Sequence, residues 1–245
     1  MHGVMCRSLQ TGGAKMRTYV ETFDEDPGGW FGWISNSQGP KPLEIQKSCA
    51  ISRSPWWIDY NHAPPGAGYM HLLYMLFTAG VASEHYRETA GPNRYVAGSF
   101  GTDFSGAQIT LRLRGELLAR GTQLHLLCQG VHDGICTGWL LTGQAFEVTS
   151  DWSDQSVVCT PDEPQWTCMG SRHDRTDSYG RTPLLTVLGE TNADILLVLY
   201  PLEVVPMGPV AGDLHTLRPE QDYPVWRSHL PEGYVQLDEV RIEFP

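Results

Sequence analysis

Two adjacent indoles followed by four polar side chains make the densest chemical grouping in this chain. They are Trp56 and Trp57, then Asp59, Tyr60, Asn61 and His62, within the stretch Ser54 to Phe77. The indoles offer flat apolar faces and the next residues offer donors and acceptors. That mixture suits a polar ligand with apolar faces, of which a sugar is the commonest. In a binding role Trp56 or Trp57 stacks on the ligand while Asp59, Asn61 and His62 bond its hydroxyls. In an enzymatic role His62, which exchanges a proton near neutral pH, and Tyr60 act as base and acid. The same residues also have a structural use, in which the aromatics pack a loop onto the domain and Asp59 and Asn61 satisfy its turns.

A second grouping spans Gly170 to Asp177, where Arg172 and Arg175 flank His173 and Asp174. Guanidinium groups beside an imidazole can clamp a carboxylate or sulfate while the imidazole handles a proton, which makes Arg172 and His173 further catalytic candidates. A charge-rich turn of this kind also reads as a solvated loop with local ion pairs. The third grouping is on a strand. Gln108 to Arg114 alternates, with Ile109, Leu111 and Leu113 on one face and Arg112 and Arg114 on the other. With Thr122 to Gln129 as the expected pairing partner, Arg112 and Arg114 come near His125 and Gln129, on a polar face along which an extended saccharide would lie. No GxSxG, HExxH, Walker or dinucleotide glycine pattern occurs, so serine-hydrolase, zincin and nucleotide-binding readings have no support.

The elements that must hold these groups follow from the apolar pattern. Arg17 to Phe23 reads as a first strand, followed by the acidic turn Asp24 to Gly29. Short alternating or wholly apolar runs recur at Gly68 to Thr78, Thr122 to Gln129, Gly138 to Leu141, Ala145 to Thr149, Gln155 to Thr160 and Asp194 to Val205. Regular short strands without a long helical period predict an all-β fold, a two-sheet antiparallel sandwich. One short helix is expected from Pro183 to Leu188, capped by Thr182 and ended by Gly189. Ala82 to Phe104 reads as a long loop carrying short strands, and Gly208 to Ser228 as a second long loop. In the closing strand, Tyr234 to Phe244, Val235 and Leu237 have one parity and Val240, Ile242 and Phe244 the other, which predicts a bulge close to Asp238.

With 245 residues and an apolar fraction of 41%, the chain suits one large all-β domain, expected over residues 16–245 after a disordered extension at 1–15. A net charge of −11 with 17 basic residues disfavours nucleic acid and anionic membrane surfaces, both of which need clustered Lys and Arg. The first residues lack the apolar core of an export signal, and the run Tyr69 to Ala82 is too short to span a bilayer and is interrupted by His71. A soluble, cytoplasmic protein is the expectation. Of the six cysteines, Cys128 and Cys159 lie in strand-like runs and are expected reduced and buried.

The two ends carry a resemblance. Glu21 to Asp24 followed by Gly29-Trp30, and the closing Gly233 to Phe244, resemble the first and last strands of galactose-binding-like jelly-roll modules of carbohydrate-active proteins. The resemblance implies a jelly-roll sandwich that binds glycans and a structural Ca²⁺ bridging the two ends, with Asp238 as the terminal ligand and Glu21 or Asp24 as its partner; hard oxygen ligands suit that ion. A concanavalin-like sandwich of different strand order is the alternative scaffold. The leading functional expectation is glycan recognition. A lyase or hydrolase of an acidic glycan, with arginines neutralising a uronate, and a subunit using its aromatic surface for protein contact are the alternatives.

Overall fold

The alternation at Ile109, Leu111 and Leu113 becomes a strand with those three side chains buried and Thr110, Arg112 and Arg114 facing out. Repeated along the chain, the same rule builds two antiparallel sheets packed as a sandwich, so the fold is all-β as the strand spacing predicts. The structure, a computed structural model, describes residues 17–35, 39–59, 69–80, 82–170, 179–202 and 229–245. In chain order the strands are β1 (Thr18–Glu21), β2 (Trp30–Ser35), β3 (Gly39–Lys41), β4 (Glu44–Ile45), β5 (Ala50–Arg53), β6 (Ile58–Asp59) and β7 (Tyr69–Phe77). They continue with β8 (Gln108–Leu118), β9 (Gln123–His132), β10 (Ile135–Leu141), β11 (Ser153–Val158), β12 (Trp166–Cys168), β13 (Asp194–Leu202) and β14 (Glu232–Glu243).

The smaller sheet runs β11-β8-β14-β5-β4 with β1 also paired to β14, and the larger runs β12-β10-β9-β13-β7-β2-β3 with β6 on β7. The beginning of the chain is therefore hydrogen-bonded to its end, Thr18 facing Glu243 and Glu21 facing Val240. Along its other half β14 pairs with β5, Tyr234 opposite Arg53 and Leu237 opposite Ala50. The expected bulge lies at the change-over, where the register against β8 shifts between Leu237 and Glu239. The extra residue, Asp238, lets Val235 and Leu237 before it and Val240 and Ile242 after it all reach the core.

Between the sheets lies one continuous apolar core that includes Tyr19, Trp30, Leu73, Leu111, Leu126, Ile195, Leu197 and Leu237. The larger sheet has a second apolar cluster on its outer side, formed by Trp57, Met70, Leu72, Leu127, Leu140, Met169, Leu196, Val198 and Tyr200. This is why β7 and β13 are apolar at both parities. Cys128 and Cys159 are buried free thiols in the inner core, and their mutual contact together with burial pushes the Cys128 thiol well up.

Three expectations need correction. Ala82 to Phe104 holds no strand; it forms three one-turn helices, α1 (Ala82–His85), α2 (Arg87–Ala90) and α3 (Arg94–Ala97). A single turn shows no period in the sequence, and α3 is set by Asn93, whose side chain accepts from Val96 N at 2.9 Å and donates to the Phe77 carbonyl at 2.9 Å. The expected helix is present as α4 (Leu184–Gly189), but Thr182 does not cap it: Pro183 holds the cap position and the Thr182 hydroxyl instead accepts from Thr137 at 3.1 Å. Ala145 to Thr149 makes only an isolated bridge, Phe146 to Leu124. Among the described residues no helix is long and apolar enough to cross a membrane. The expected extension at 1–15 and the expected loop at 208–228 lie outside the described residues.

Candidate functional site

Strand β8 carries Thr110, Arg112 and Arg114 outward at alternate positions, and pairing decides what stands beside them. On one side β11 places Ser156 opposite Thr110 and Asp154 opposite Arg112, with Trp152 just ahead of the strand beside Arg114. On the other side β14 places Gln236 opposite Arg114 and Glu239 opposite Arg112. Arg112 is held between two carboxylates: its Nη1 donates to Asp154 Oδ1 at 3.2 Å and its Nε lies 3.1 Å from Asp238 Oδ2. Arg114 donates from Nε to Gln236 Oε1 at 2.7 Å, and its guanidinium lies over the Trp152 ring, 4.7 Å from the centroid. Arg112 reaches the same ring at 5.9 Å. Further along, Arg53 lies over Tyr234 at 4.9 Å and pairs with Glu44 at 3.0 Å. The outer face of the smaller sheet is thus a partly exposed lattice of guanidinium groups, two aromatic rings, an amide and carboxylates. It is chemically equipped to bond hydroxyls and to stack against an apolar ring face.

Arg112 and Arg114 therefore lie on a polar sheet face as expected, but not beside His125 and Gln129. The strands β8 and β9 are joined by the tight turn at Arg120 and Gly121, both at positive φ, yet they enter different sheets. His125 is buried on the larger sheet, where Nδ1 donates to the carbonyls of Leu141 (3.0 Å) and Gln144 (2.9 Å) and burial lowers its pKa. Gln129, 5% exposed, lies opposite Asp194 in the same sheet.

Trp56 and Trp57 are 5% and 4% exposed. Trp56 belongs to the inner core, donates from Nε1 to Ser52 Oγ at 2.9 Å and packs on the His71 ring. Trp57 belongs to the outer cluster of the larger sheet, and its carbonyl accepts from His71 Nδ1 at 3.1 Å. A cleft beside Trp56, also lined by Trp33, Lys41, Arg53 and Pro55, measures about 20 Å³, room for a water but not a sugar. Their indole faces are therefore occupied by protein. Asp59 is placed by its backbone pairing with Met70, while Tyr60, Asn61, His62, Arg172 and His173 lie outside the described residues. A recess of about 380 Å³ opens near the β8–β9 turn, but its lining, including Leu117, Thr122, Gln123, Phe146 and Glu147, has no guanidinium or indole.

The three carboxylates assigned to calcium are each engaged otherwise. Glu21 is buried, and its Oε1 accepts from Arg94 Nη1 at 2.7 Å and from the backbone N–H groups of Thr22 (3.2 Å) and Phe23 (3.1 Å). Arg94 also reaches Asp26 at 3.0 Å. Gly28, at φ +64°, has no room for a side chain because a Cβ there would overlap the Glu21 carboxylate. Asp24 accepts from the Thr22 hydroxyl at 2.6 Å, and Asp238 faces Arg112. Among the described residues no group of three or more His, Cys, Asp or Glu side chains could hold a metal ion. The residues in this arrangement do not fit a calcium site: arginines stand as the cationic partners of Glu21 and Asp238.

Sequence reasoning missed Trp152, Asp154 and Gln236, whose only available signal was polar parity on strands not known to be neighbours. It also missed Asp194. This carboxyl begins β13, 5% exposed, and its Oδ1 has no hydrogen-bond partner; burial alone raises its pKa to about 8. Opposite it Gln129 Nε2 is likewise without a partner. Comparison of the chain with protein-family models, with curated proteins and with solved structures gave no match.

Proposed function

We propose that this chain is a carbohydrate-recognition sandwich whose ligand lies across the outer face of the smaller sheet. The observation that carries the reading is the Trp152 ring flanked by the guanidinium groups of Arg114 and Arg112, 4.7 Å and 5.9 Å from its centre. An indole stacks on the apolar C–H face of a pyranose, and planar amide, carboxylate and guanidinium groups around it bond pairs of hydroxyls. Asp154, Asp238 and the two guanidinium groups are those groups here, with the buried Gln236 holding Arg114 in place, and Tyr234 extends the aromatic surface along β14. The aromatic role expected of Trp56 and Trp57 passes in this reading to Trp152.

The test is a glycan array probed with the full chain, followed by calorimetric titration of the best ligand into wild type and Trp152→Ala. At least a tenfold loss of affinity in the variant, with an unchanged melting temperature, is the expected result. An array with no bound glycan, or a variant of full affinity, removes the proposal. Mass spectrometry of the same glycan after incubation separates recognition, which leaves it intact, from catalysis, which does not.

A further inference from the structure

We propose that Arg114 is a receptor for one carboxylate, so that the glycan recognised on this face carries a single acidic sugar; the inference rests on the glycan-recognition reading above. Among the described residues four arginines belong to this side of the smaller sheet, and three are matched by acids. Arg53 pairs with Glu44, Arg112 with Asp154 and Asp238, and Arg241 with Glu239 at 2.8 Å. Arg114 has no ion pair among the described residues.

Its orientation is nevertheless set. The Nε–H is committed to Gln236 Oε1, an amide only 8% exposed, and one guanidinium plane lies on Trp152. Holding Nε and the plane leaves the two terminal nitrogens as an oriented fork, the geometry that accepts a carboxylate through two parallel hydrogen bonds. A lysine could not be held this way, because its ammonium has no plane to stack and no second edge to present. The indole also excludes water from one side of the cation, which strengthens its attraction for an anion.

The surroundings limit the ligand's charge. Glu44, Asp154, Asp238 and Glu239 are four carboxylates on the other three arginines, one more than they need, and Glu116 lies on the same face of β8 two residues from Arg114. The chain as a whole carries −11. A polyanion would meet these carboxylates on either side of Arg114 and be repelled, whereas a single acid group can be held at Arg114 itself.

The experiment uses glucuronate- and galacturonate-capped oligosaccharides, each beside its carboxyl-reduced counterpart, with polygalacturonate as the polyanion, titrated into the full chain. The acid member of at least one pair should bind at least tenfold tighter than its reduced counterpart, and polygalacturonate no tighter per chain end. Arg114→Gln should lower the acid to the level of the reduced sugar and leave the latter unchanged, with Arg114→Lys restoring only a small part. Trp152→Ala should weaken both members, the acid more than the reduced sugar, because Arg114 also loses the ring that holds it. Equal binding of acid and reduced sugars, or equal loss of both in Arg114→Gln, overturns the carboxylate receptor and leaves glycan recognition standing. If no capped, reduced or polymeric sugar binds, the carboxylate receptor falls, and glycan recognition falls with it only when the array is also empty.

Discussion

Replacing Asp194 with asparagine should make the protein more stable at neutral pH, although it alters a side chain in the middle of a sheet. In the folded chain this carboxyl is buried, has no charged neighbour among the described residues to favour ionisation, and holds its proton up to a pKa of about 8. In the unfolded chain it ionises near the ordinary aspartate value of 3.8. The folded pKa is the higher one, so the folded state binds the proton more tightly, and stability is full below about pH 4 and lost as pH rises toward 8. Each pH unit in that window costs about 1.4 kcal/mol, so at pH 7 the cost is about 4 kcal/mol. Asparagine has nearly the same shape and never ionises, but it leaves an amide without partners, at about 1–3 kcal/mol. The net gain at pH 7 is then about 1–3 kcal/mol. Urea denaturation of both proteins at half-unit intervals from pH 4.5 to 8 measures it. The stability difference should grow by about 1.4 kcal/mol per pH unit up to pH 7.5 and change sign near the acid end. Parallel curves, with the same difference at every pH, would show that the folded carboxyl is already ionised and paired, and would refute the argument.

Once Asp194→Asn has removed that slope, His71 should become visible. Its folded pKa of about 4, lowered by burial from 6.5, lies below the unfolded value. Stability is therefore full above pH 6.5 and falls by about 3 kcal/mol as pH drops toward 4, whereas in the wild type the Asp194 slope offsets it over much the same window. Arg94→Ala should destabilise by about 3 kcal/mol in chemical denaturation, because it strands the buried Glu21 carboxylate, and Arg94→Lys should recover part of the loss. Melting with and without a chelator should give the same midpoint, since Arg94 and Arg112 already neutralise Glu21 and Asp238; a chelator-dependent fall would reinstate calcium at the chain ends.

A strand's two-residue period is a local property, so inward and outward positions are written into the residue order. The burial of Ile109, Leu111 and Leu113, the outward Arg112 and Arg114, and the apolar slip that becomes the bulge at Asp238 were all legible. The one-turn helices between Ala82 and Ala97 were not, since four residues are too few to display a helical period. The direction of Trp56 and Trp57 was not legible either, because an indole serves equally well as a stacking platform or as core.

What the residue order determined by itself is therefore which side chains of the clearest strands turn inward, and that the fold is two antiparallel layers. Strand order was decided only in three dimensions. It sent β8 and β9 to different sheets despite the tight turn between them, and it brought Gln236 to Arg114 across 122 residues of chain. The reason is physical. Inward and outward depend on each residue's immediate neighbours along its strand, whereas a site on a sheet face depends on which strands lie side by side. That choice is made by packing the whole core at once.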